Sequence, residues 1–209
     1  MKTIYPNLEE LAWTKDTSAA VNPIPPDAFD FYQWNGGMTT MIRGPQWSGG
    51  LVHTPALPVA PNTSIYTLAY DSIIPGSALT LCQALEFDLM LAGQNGFVAN
   101  GSCQCVVANG FMWQIWMNNK WTDTGIKTPL TPDSWVSFKS KFKVDWAKQT
   151  IQFQSITVGS SVHTSSVAPV PFQQLGWGQP NILSVQRQLD LAMAGAYSVD
   201  DRNISVTQE

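Results

Sequence analysis

The chain has 209 residues, of which only 12% are charged, with 15 glycines, 14 prolines and a net charge of −4. That acidic balance, with a pI near 5.0, argues against a nucleic-acid backbone or an anionic membrane surface as partner, since both need clustered Lys and Arg. The length suits one β domain whose core needs neither disulfides nor metal, and no apolar run approaches the roughly 18 residues of a membrane span.

Residues 1–30 read as irregular. Leu8 to Trp13 suits a short helical turn, and Pro23-Ile24-Pro25-Pro26 forbids regular structure. Met1 to Trp13 has no hydrophobic signal-peptide core. The expectation is an extracellular mature domain without its leader, with an intracellular protein as the alternative. Residues 31–62 carry Trp34-Asn35-Gly36-Gly37, Gly44-Pro45-Gln46-Trp47 and Ser48-Gly49-Gly50, which suggest short strands and loops.

From Ser64 the strand signal strengthens. Strands are expected at 65–74 and 78–91, and over 97–107 as a pair or one bulged strand. The Asn109-Gly110 hairpin signal leads into 111–118, and further strands follow at 135–146, 149–158, 182–194 and 197–207. At least eight strands with frequent turns, and no helix, predict an antiparallel sandwich or jelly roll. The whole chain, 1–209, reads as one domain, clearest over 64–207.

Period-2 reading divides the faces. In 111–118, Phe111, Trp113, Ile115 and Met117 form a core face, while Met112, Gln114, Trp116 and Asn118 share the other. In 78–91, Leu81, Leu85, Phe87 and Leu89 oppose Cys82, Ala84, Glu86 and Asp88. In 184–193, Val185, Leu189, Leu191 and Met193 oppose Ser184, Gln186, Gln188 and Asp190. The strand at 135–146 instead sets Val136, Phe138, Phe142 and Val144 against Ser137, Lys139, Lys141 and Lys143, an ordinary solvated face. Amides and acids around an aromatic suit a hydroxyl-rich ligand. The candidate ligand-binding residues are therefore Glu86, Asp88, Gln114, Trp116, Asn118, Gln186, Gln188 and Asp190. Among the other indoles, Trp113, Trp135 and Trp146 belong with core or strand-end packing. Trp34, Trp47, Trp121 and Trp177, beside Gly or Asn, either cap the sandwich or stack on ligand.

Cys82, Cys103 and Cys105 read as reduced thiols, or as one disulfide from Cys82 to the Cys103/Cys105 pair. They are too few for zinc, and His53 and His163 add no ligand spacing. Asn62, Asn100 and Asn203 begin N-x-S sequons. No G-x-S-x-G, G-x-x-x-x-G-K-[ST] or G-x-G-x-x-G occurs, which argues against a serine hydrolase or a nucleotide site. No cofactor is expected. Asp200, Asp201 and Asn203 are calcium candidates by oxygen content, the alternative being that Asp201 accepts hydrogen bonds near the sheet end.

Three stretches resemble the concanavalin A-like lectin/glucanase superfamily: Leu85-Glu86-Phe87-Asp88, the hairpin from Trp135-Val136-Ser137-Phe138 to Ile156-Thr157-Val158, and the closing Tyr197-Ser198-Val199-Asp200-Asp201-Arg202-Asn203-Ile204-Ser205-Val206. The resemblance implies a two-sheet jelly roll with one concave polar face and carbohydrate as partner. Laminarinase-like members carry two acids two apart and a third acid three further on. Glu86 and Asp88 match the first two, but the third position is Leu91, which cannot donate a proton. The expectation is therefore sugar binding, with Trp116 stacking on a ring and the polar candidates hydrogen-bonding hydroxyls. The alternatives are a glycoside hydrolase or polysaccharide lyase using Glu86 and Asp88, and a structural or adhesive protein-interaction module.

Overall fold

The period-2 segments become strands in the computed structural model, which describes residues 2–16, 27–61 and 64–209. In chain order they are β1 (Lys2–Tyr5), β2 (Thr14–Asp16), β3 (Phe29–Trp34), β4 (Gly37–Gly44), β5 (Gly49–His53), β6 (Leu57–Pro58), β7 (Ser64–Ile73), β8 (Cys82–Ala92) and β9 (Phe97–Val106). The remainder are β10 (Met112–Met117), β11 (Lys120–Lys127), β12 (Val136–Asp145), β13 (Thr150–Val158), β14 (Ser161–Thr164), β15 (Val170–Pro171), β16 (Gln173–Gln174), β17 (Ile182–Leu191) and β18 (Gly195–Gln208). Among the described residues no helix is long and apolar enough to cross a membrane.

Two antiparallel sheets stack. The back sheet runs β14-β13-β12-β7-β18-β4-β3, with β1 beside β18 and β15 beside β13. The front sheet runs β11-β10-β9-β8-β17-β5-β2, with β16 beside β9 and β6 beside β17. This is the jelly-roll sandwich that the alternation predicts. Aromatic rings join the sheets, Tyr70 lying 4.1 Å from Phe87 and 5.1 Å from Phe138 between ring centroids.

Several local expectations change. The N-terminal segment is not irregular throughout, because β1 pairs with β18 and β2 with β5. Glu9 pins the turn between them: its carboxylate accepts the N–H groups of Asn203 at 2.9 Å and Ile204 at 2.8 Å, where the register of β18 slips against β7. The Pro23–Pro26 run and the Asn62 sequon lie outside the described residues. Of the two expected arrangements for 97–107 the structure has the single strand, Phe97–Val106. The strand predicted from Ala78 starts at Cys82, and a register shift opposite Leu189 and Leu191 turns Cys82 into the core instead of onto the polar face. All three cysteines are free and buried, and burial pushes the Cys82 thiol up to about 12. Asn118 and Asn119 both adopt positive φ, 53° and 58°, the geometry of a tight hairpin turn. Asn118 therefore leaves the face it was expected to share with Trp116.

One charged side chain occupies the core. Arg187 of β17 falls in the apolar phase, and its Nε donates to Asp201 Oδ2 of β18 at 3.0 Å, joining the sheets. Its Nη1 donates to the carbonyls of Glu86 at 3.0 Å and Gln188 at 3.2 Å, and its guanidinium lies 4.8 Å from the Phe87 ring centroid. Ser72 also donates to Asp201. The charge of Arg187 is met by Asp201, while its Nη2 has no hydrogen-bond partner.

Candidate functional site

The polar phases of five front-sheet strands line up across the outer face. Glu86 stands opposite Gln104 and Gln188, and Gln104 opposite Gln114. In the next row Asp88 stands opposite Ser102 and Gln186, and Gln186 opposite His53. The amides are chained: Gln104 Nε2 donates to Gln114 Oε1 at 2.7 Å, and Gln114 Nε2 to Asp123 Oδ1 at 2.6 Å. Gln188 Nε2 donates to Asp190 Oδ2 at 2.9 Å. Asp190 needs a bare glycine opposite, because a Cβ at Gly49 would sit 2.2 Å from its Oδ1.

Glu86 and Asp88 are each only 4% exposed and share a hydrogen bond. Glu86 Oε2 and Asp88 Oδ1 are buried with no hydrogen-bond partner. Burial, then the neighbouring Asp88 charge, pushes the Glu86 carboxyl well up. Burial also lifts Asp88 to about 7, although hydrogen bonds from Glu86, Ser102 and the Cys103 backbone favour its anion. Burial raises Asp190 to about 6. The two titrations are coupled, and burial together with their mutual repulsion opposes ionisation of both carboxyls at once.

The open part of the face lies at its β17–β5 side. A cleft of about 350 Å³ is lined there by Asp16, Leu51, His53, Trp177, Ser184 and Gln186, among others. Thr54 fixes its wall: Thr54 Oγ1 accepts the Val185 N–H at 3.1 Å, and Ser184 Oγ donates to the Thr54 carbonyl at 3.2 Å. His53 Nδ1 lies 3.0 Å from that same carbonyl. A carbonyl only accepts, so Nδ1 carries the hydrogen, and Nε2 of the neutral ring is an acceptor. A larger recess of about 450 Å³ on the back sheet, beside Asp27 and Arg43, contains none of the predicted site residues.

Of the eight predicted residues, only Gln186 lines this cleft. Glu86 and Asp88 lie beside it in the sheet but are sealed, while Gln188 and Asp190 are bonded to each other. Gln114 and Trp116 lie on β10, at the far side of the face. There Trp116 meets Trp121 edge-on, with centroids 5.4 Å apart and planes at 75°. Trp121, expected in a loop, is in β11 directly opposite Trp116. Asn118 is exposed in the turn. Trp135, expected in packing, is an exposed ring under the Arg202 guanidinium, 4.0 Å from its centroid. His53 is not singled out by the sequence, because its strand phase with Gln186 appears only once β5 is paired with β17.

Asp200, Asp201 and Asn203 do not converge. Asp200 accepts from Thr39 Oγ1 at 2.7 Å, Asp201 faces Arg187 in the core, and Asn203 Nδ2 donates to Asp71 at 2.7 Å. Among the described residues no group of three or more His, Cys, Asp or Glu is placed to hold a metal. Leu91, the position of the absent third acid, is wholly buried in the core.

The sequence matches no family model and no curated protein. Solved structures are similar over nearly the whole chain. Alginate lyase vAL-1 from Chlorella virus is 11% identical with a TM-score of 0.58, over 99% of this chain and 100% of that one. A variant of alginate lyase Aly36B, in complex with alginate trisaccharide, is 10% identical with a TM-score of 0.51, over 100% and 98%. Lectin UEA-II, complexed with galactose, is 12% identical with a TM-score of 0.51, over 95% and 98%. At these identities the likeness shows the fold, a concanavalin A-like jelly roll, and that fold serves both lectins and glycan-cleaving enzymes.

Proposed function

We propose that this protein binds a poly- or oligosaccharide on the outer face of the front sheet, seated in the cleft beside Trp177. The observation that carries the reading is the cleft's make-up: an indole in one wall, with Gln186, Ser184 and His53 offering donors and acceptors. An apolar ring face against a pyranose, with convergent polar groups at its rim, is the arrangement a sugar requires. Trp116 and Trp121 supply a second aromatic surface across the same face.

Three observations weigh against cleavage by Glu86 and Asp88. Both carboxyls are buried, they bond to each other, and position 91 offers no third acid. A hydrolytic pair instead flanks the scissile bond, with room for substrate between its members.

Affinity electrophoresis in gels cast with single polysaccharides tests the reading. Wild type is expected to be retarded by at least one of them, and Trp177→Ala and Gln186→Ala to lose about tenfold or more in affinity. Reducing ends and unsaturated products are assayed alongside. Their release by wild type and not by Glu86→Gln would replace binding with catalysis at the sealed pair.

A further inference from the structure

We infer that the glycan taken by this face is uncharged, a neutral hexose or pentose polymer rather than a polyuronate. The inference rests on the carbohydrate reading above and adds the ligand's chemical class. It comes from where the cations are. The chain has 11 Lys and Arg, and none lines the cleft. The residues outside the described ranges contain neither type.

Most of the cations belong to the other side of the molecule. Lys139, Lys141 and Lys143 are on β12 of the back sheet, where Lys141 pairs with Glu209. Arg43 pairs with Asp27, Lys148 with Asp145, and Arg202 with Asp71. Lys15 donates to the Phe29 carbonyl and pairs with Asp30. Lys120 and Lys127 stand at the two ends of β11, the edge strand farthest from β5 and β2. Arg187 lies behind the floor, and it is turned into the core and spent on Asp201 and two carbonyls.

The cleft and the sheet beside it are acidic or neutral. Asp16 lines the cleft, while the sealed Asp88 and Glu86, and Asp190 held by Gln188, lie beside Gln186 along β8 and β17. A polyuronate would set a carboxylate on each sugar beside these acids with no Lys or Arg in the cleft lining. Like charges brought together over a poorly solvated floor repel strongly, which is discrimination by an unfavourable contact. Neutral hydroxyls have no such penalty, since each can donate to a carboxylate or His53 and accept from an amide.

The test is a binding panel in mildly alkaline buffer. The probes are laminarin, mixed-linkage β-glucan, galactomannan and xylan as uncharged polymers, alginate and polygalacturonate as anionic ones, and a quaternised (trimethylated) chitosan, charged at every pH, as the cationic one. The expected result is retention by at least one uncharged polymer, with affinity changing less than about twofold between roughly 0.05 and 0.5 M NaCl, because screening acts only on charge. Binding to both uronans should be at least about tenfold weaker, and Trp177→Ala should abolish retention. Tighter binding to alginate, polygalacturonate or chitosan than to any uncharged polymer overturns the inference and leaves the carbohydrate reading standing. Full retention by Trp177→Ala places the ligand elsewhere and also overturns the inference. Retention by no polymer overturns both.

Discussion

Arg187 and Asp201 form an ion pair that bridges the two sheets through the core, Nε to Oδ2 at 3.0 Å, with side chains 1% and 0% exposed. Removing one partner strands the other as an uncompensated buried charge. Asp201→Asn and Arg187→Met are each expected to lower unfolding free energy by about 3–5 kcal/mol. Replacing both partners together, as Arg187→Met with Asp201→Leu, should recover most of that loss. Urea unfolding of the singles and the double checks this, and single variants as stable as wild type would contradict it.

The acids of the front face make stability depend on pH. In the folded state Asp88 titrates at about 7 and Asp190 at about 6, against about 4 in the unfolded chain. Between these limits the folded protein holds more protons than the unfolded one. Stability therefore falls as pH rises from about 4 through about 7, by on the order of a few kcal/mol. Unfolding midpoints measured at pH 5 and pH 8 should show the protein more stable at the lower value. The difference should shrink in Glu86→Gln with Asp88→Asn. A flat profile in wild type would refute the assignment.

Gly49 is expected to accept a side chain only by displacing the Asp190 carboxylate. Its Cβ would lie 2.2 Å from Asp190 Oδ1, displacing a carboxylate held by Gln188. Gly49→Ala should cost about 1–3 kcal/mol in wild type and little in an Asp190→Ala background. A double-mutant cycle measures the coupling, and additive effects would remove the contact from the account.

Glu9 holds the N-terminal turn against β18 through two backbone N–H groups. Glu9→Gln leaves one of them facing the amide nitrogen, which can only donate, at a cost of about 1–3 kcal/mol. Hydrogen exchange should quicken at Asn203 and Ile204 in this variant while β8 amides are unchanged. Unaltered protection at those two positions would show that the turn is held some other way.

Strand phase was legible where a strand has one wet and one dry face. Trp113 and Ile115 are buried, Gln114 and Trp116 face outward, and the lysines of β12 point to solvent, all as period 2 requires. Cys82 was misplaced because the register shift near its end of β8 exchanges the faces, and alternation alone cannot count through a shift. Arg187 carried a signal that alternation passes over: a guanidinium in the apolar phase, between Val185 and Leu189, demands a buried anion. Its partner is on the other sheet, so no local pattern names it. The sealing of Glu86 and Asp88 and the meeting of Trp177 with His53 were equally out of reach, since both depend on tertiary packing of loops around the sheet. The oxygen-rich run at Asp200 and Asp201 looked like one cluster, but alternation sends the two carboxylates to opposite faces.

A glycan array probed side by side with wild type, Trp177→Ala and Trp34→Ala tests whether sugar binds in the cleft. Trp34 packs over Gly37 on the back sheet, remote from the cleft, and serves as the matched loss of an indole. Binding in the cleft predicts wild-type signal on uncharged glycans that persists in Trp34→Ala and disappears in Trp177→Ala. Equal signal from all three proteins would contradict it.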